Sequence, residues 1–60
     1  MTLSQLNIGD RFNIQGFSWP LIVTRTETYR NRTMVTFREV NSSLGRYTLN
    51  GSREVIDNNP

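Results

Sequence analysis

Beyond Gly9 the chain alternates apolar and polar residues with a period of two. Phe12 and Ile14 are interleaved with Arg11, Asn13 and Gln15, which predicts a half-buried strand entered through the turn-forming run Asn7-Ile8-Gly9-Asp10. After a break at Gly16, Trp19-Pro20 leads into a strand over 21–28, where Thr24, Thr26 and Thr28 accompany the apolar run Leu21-Ile22-Val23. Threonine at that density favours strand, since its branched side chain fits a pleated surface and crowds a helix. The inward parity of this strand is ambiguous. Leu21 and Val23 share a face with Arg25 and Glu27, whereas Ile22 shares one with the threonines, as a strongly bent strand burying both faces at one end would require.

Tyr29-Arg30-Asn31-Arg32 reads as a hairpin tip, and 33–40 returns with Val35 and Phe37 on one side and Thr36 and Arg38 on the other. Asn41-Ser42-Ser43-Leu44-Gly45 is the next turn, 46–49 a short strand, Asn50-Gly51 a strong two-residue turn signal, and 52–56 a last segment that brings Val55 and Ile56 to bury. The first six residues follow another rhythm. Thr2 and Gln5 have capping-box spacing and Leu3 and Leu6 lie one helical turn apart, so the opening is either one short helical turn or an extended edge strand.

About five short antiparallel strands in 60 residues predict an all-β single domain, its core at about 6–57 and residues 58–60 a flexible tail. A flat sheet of that size would expose an apolar face and two edges, which closure into a small barrel avoids. The run Leu6-Asn7-Ile8-Gly9-Asp10-Arg11-Phe12-Asn13-Ile14 resembles the opening of SH3-like barrels, where a glycine-acid turn launches a first alternating strand. The long hairpin, short fourth strand and terminal apolar pair extend the resemblance over about 6–57. It implies an SH3-like small barrel and no particular activity, because such barrels host nucleic-acid binders, peptide binders, oligomeric subunits and occasional enzymes.

Composition narrows the chemistry. Cysteine and histidine are absent, which excludes disulfides, thiolate metal sites and the commonest general base. No cofactor, metal site or catalytic residue is expected, and none of the five acids falls at a spacing that implies a shared site. The longest apolar run has three residues, far short of the roughly 20 needed to cross a bilayer, so a cytoplasmic setting without membrane association is expected. Three N-x-S/T triplets, at Asn31, Asn41 and Asn50, are what a chain this rich in Asn, Ser and Thr produces by chance. Lysine is absent as well, so all seven positive charges are arginine, whose planar fork grips carboxylates, phosphates and aromatic faces. A net charge of +2 permits nucleic acid without demanding it.

Those arginines cluster. Between positions 25 and 38 lie Arg25, Arg30, Arg32 and Arg38 against the single acid Glu27, with Tyr29 at the predicted tip. Such a set can grip an acidic protein surface, clamp phosphates while the ring stacks on a base, or simply keep a hairpin solvated. The expectation is a non-catalytic protein-interaction module, an accessory subunit, regulator or inhibitor of a larger protein, binding through Arg25, Tyr29, Arg30, Arg32 and Arg38 and prone to self-association. The alternative is a sequence-tolerant nucleic-acid-binding barrel. Trp19 is read as core, with a peptide-binding surface platform as the competing use.

Overall fold

The computed structural model describes residues 1–17, 20–42 and 45–58, the last two by their backbone alone. The readings of Trp19 as core and of Ser43-Leu44 as turn lie outside the described residues, as does the end of the tail. The protein is mostly β. Its strands are β1 (Arg11–Asn13), β2 (Leu21–Tyr29), β3 (Arg32–Glu39), β4 (Tyr47–Asn50) and a two-residue strip, β5 (Asp57–Asn58), in one antiparallel sheet of order β4-β3-β2-β1-β5.

The expected barrel is corrected to an open sheet. Four strands carry it, and the terminal apolar segment 52–56 is turn and bridge, leaving β5 too short to reach β4. The space a closing strand would fill is taken by the N-terminus. There a single 3-10 turn, Leu3–Gln5, starts after Thr2, whose N–H donates to Gln5 Oε1 at 2.7 Å. Of the two openings read from the sequence the helical turn is the one formed, and among the described residues no edge strand precedes β1. Thr2 forms an isolated bridge with Glu54, while Leu3 and Ser4 N–H groups donate to the Arg53 and Gly51 carbonyls.

The core consists of Leu3, Leu6, Phe12, Ile14, Leu21, Val23, Val35 and Phe37, with Phe17, Leu49 and Val55 packed against it. Phe37 is its centre, meeting Phe12 and Phe17 edge-on at 5.2 and 5.3 Å between centroids. Burying each such ring contributes about 1.5–3 kcal/mol. Of the terminal apolar pair only Val55 turns inward, and Ile56 stays exposed.

The parity of β2 is settled by a β-bulge, not by burial of both faces. Val23 pairs with Phe37 and Arg25 with Thr36, so Thr24 is the extra residue, and its Oγ1 donates to the Thr36 carbonyl at 3.2 Å. The bulge resets the alternation. Leu21 and Val23 face the core, Thr26 and Thr28 continue that face opposite Val35 and Thr33, and Arg25, Glu27 and Tyr29 move to the outer face.

Candidate functional site

Directly opposed residues in an antiparallel pair project to the same side, so the register defines the outer face row by row. Arg11, Ile22 and Arg38 form one row across three strands, Arg25, Thr36 and Thr48 the next, then Glu27, Met34 and Asn50, then Tyr29 and Arg32. The bulge thus brings Arg25 and Tyr29 onto the face that carries Arg32 and Arg38, and the β1–β2 register adds Arg11. Arg11 was not among the residues picked out from sequence. The signal was present in the alternation around Phe12, but its neighbours in space depend on the β1–β2 register.

Tyr29 and Arg32 close a two-residue loop of Arg30 and Asn31. Arg30 has φ +58° and is the one described non-glycine residue with positive φ. Two-residue hairpin loops with a positive φ at the first loop residue normally place glycine, asparagine or aspartate there. An L-residue held in the left-handed region costs about 1–2 kcal/mol. The Arg30 guanidinium carbon lies 5.5 Å from the Tyr29 ring centroid, and that ring is 70% exposed.

The other arginines are engaged differently. Arg25 Nε meets Glu27 Oε1 at 3.1 Å between exposed side chains, an attachment worth at most about 1 kcal/mol. Arg38 is turned back on its own chain: Nη1 donates to the Glu39, Val40 and Ser42 carbonyls at 3.1, 3.4 and 3.3 Å. Expected as a partner-binding residue, it clamps the turn that ends β3. The structure therefore brings together Tyr29, Arg30 and Arg32 at the tip, leaves Arg25 beside them with a local acid, and assigns Arg38 to the scaffold.

Two shallow hollows flank the tip. One, of about 390 Å³, is lined by Tyr29, Arg30, Asn31 and Arg32. The second, of about 220 Å³, lies between the hairpin and the N-terminal turn and is lined by amides and hydroxyls together with Arg32. Its floor is Gly51, which donates to the Thr33 carbonyl at 2.7 Å. Among the described residues neither hollow is lined by an acid; the first is mostly apolar, and the second offers both donors and acceptors. Among the described residues no three carboxylates converge on a metal site, and no helix is long and apolar enough to cross a membrane. Comparison with protein-family models, with curated proteins and with solved structures finds no match.

Proposed function

We propose that the chain is a non-catalytic interaction module that engages an acidic surface of a larger protein through the tip of the β2–β3 hairpin. The observation that supports this most directly is Arg30, an arginine kept at a positive-φ position where glycine would sit without strain. Strained residues of this kind persist where the side chain has a use. Here the side chain is spread over an exposed tyrosine, and arginine and tyrosine are the residue types that dominate interface hot spots. Arg32 and the amides beside it supply further donors for carboxylates.

The partner is a protein that binds as tightly after nuclease treatment as before. Recovery of a nuclease-resistant partner by the wild-type chain but not by Arg30→Ala/Arg32→Ala is the expected result, and equal recovery by both would sink the proposal. Exposure of the Tyr29 ring beside arginine also favours a second reading, single-stranded nucleic acid stacked on the tip. With Arg38 folded back on its own chain, three of the four arginines between 25 and 38 remain, and affinity would fall with salt at a log–log slope of no more than about −2 to −3.

A further inference from the structure

The β1 side of β2 is covered only as far as Val23, whose carbonyl accepts from Gly9 N–H at 2.9 Å and whose N–H donates to Asp10 O at 3.0 Å. From Thr24 to Thr28 no described strand pairs with this edge. Its free groups follow from the register. Tyr29 and Arg32 close a two-residue loop and so form a hydrogen-bonded pair, and hydrogen-bonded and non-bonded pairs alternate along the ladder. Glu27 and Arg25 therefore bond to β3, while the N–H and C=O groups of Thr26 and Thr28 point outward. The 3.4 Å approach of Thr28 Oγ1 to Thr33 Oγ1 agrees with a non-bonded pair, where side chains lie closer.

We infer that this edge pairs antiparallel with the same edge of a second copy, with Thr26 on the two-fold axis. β2 is uncovered on this side from Thr24 to its end at Tyr29. With Thr26 on the axis, residues 24–28 of each copy pair before the Gly9–Asp10 segment of the other begins, while charge selects the register. With Thr26 opposite Thr26, Arg25 of each copy lies directly opposite Glu27 of the other on the outer face, giving two intermolecular ion pairs. Shifting the axis by one residue to Glu27 sets two glutamates face to face, which is unfavourable. An isologous contact of this kind is self-complementary and closes at two copies.

Five residues a side form a contact well below the usual stable interface, so half-dimerisation falls on the order of 0.1–1 mM. The two hairpin tips then point to opposite ends, roughly 30 Å apart from the strand rise. This inference does not rest on the acidic-partner reading, because the tip residues lie outside the paired stretch.

The test is sedimentation velocity from about 20 µM to about 1 mM, together with amide hydrogen exchange at both ends of that range. Wild type shifts toward dimer with concentration, and the Thr26 amide gains protection while that of Glu27, already bonded to β3, does not change. Arg25→Glu alone and Glu27→Arg alone each oppose like charges and stay monomeric at concentrations where wild type is half dimeric. The double swap Arg25→Glu/Glu27→Arg restores the dimer. Both positions are exposed, so the variants keep the fold. Arg30→Ala/Arg32→Ala, which removes the proposed partner contact, dimerises as wild type does. A wild type that remains monomeric at about 1 mM, or a double swap no more dimeric than the single variants, overturns the inference.

Discussion

Substituting alanine for Gly51 provides the sharpest test of the packing. A Cβ built on Gly51 would sit 2.8 Å from Ser4 Cβ and 2.9 Å from the Thr33 carbonyl oxygen, so backbone on one side and the N-terminal turn on the other must move. Overpacking of this kind costs about 1–3 kcal/mol. Displacement also weakens two backbone bonds, Gly51 N–H to Thr33 O and Ser4 N–H to Gly51 O, each worth about 1 kcal/mol. The sum is about 3–5 kcal/mol, against a total stability of roughly 3–9 kcal/mol for a chain of this size. Gly45→Ala is the control, since among the described residues its Cβ would meet only the Tyr47 hydroxyl and ring, at ordinary distances of 3.6 and 3.9 Å. It is expected to be neutral or stabilising by up to about 1 kcal/mol. Gly9→Ala falls between them, with no described residue within 4 Å of the Cβ but φ +94°, at about 1–2 kcal/mol. Urea denaturation followed by far-UV circular dichroism ranks the three. Should Gly51→Ala prove less destabilising than Gly9→Ala, the tight junction of N-terminal turn, hairpin and β4 is wrong.

Two further substitutions separate scaffold from site. Arg38→Ala removes the clamp on three carbonyls and lowers stability by about 1.5–3 kcal/mol in the same denaturation assay, whereas Arg32→Ala stays within about 0.5 kcal/mol of wild type. Arg30→Gly relieves the left-handed strain but loses the tyrosine contact and adds unfolded-state entropy, so stability changes by no more than about 1 kcal/mol in either direction. Partner binding measured by titration calorimetry nevertheless falls at least tenfold.

Much of this was legible in the sequence because it depends on local alternation. Phe12, Ile14, Val35 and Phe37 face inward as their period requires, and the capping-box spacing of Thr2 and Gln5 marks a real turn. What failed was non-local. Nothing in the neighbours of Arg38 announces that its Nη1 will hold three carbonyls of the turn after β3. Gly51 is the turn glycine that the sequence marks, but only the approach of Ser4, far away in sequence, shows that a side chain there would also have no room. Ile56 read as core because Val55 and Ile56 are adjacent and apolar, yet consecutive residues in extended chain face opposite ways and only one can turn inward. Closure into a barrel failed for the same reason, since strand lengths at the two edges depend on what the N-terminus covers.

The bulge at Thr24 joins these themes and yields a counterintuitive expectation. A one-residue deletion within a strand normally sends every later side chain to the wrong face. Deleting Thr24 should not, because Thr24 is itself the extra residue: Val23, Arg25 and Thr26 would then alternate inward, outward, inward as they already do. The loss is confined to the Thr24 Oγ1 bond to Thr36 and the added local twist, about 1 kcal/mol for the bond. Deleting Thr36 from β3 is the contrast. It would force Val35 and Phe37, both fully buried, onto opposite faces of the sheet, stranding a residue that contributes about 1.5–3 kcal/mol and disrupting the aromatic cluster around it. Cooperative unfolding is expected for the first variant and an unfolded chain for the second. If deleting Thr24 also abolished the transition, the outer face would not be organised by a bulge, and the common surface of Arg25, Tyr29 and Arg32 would have no structural basis.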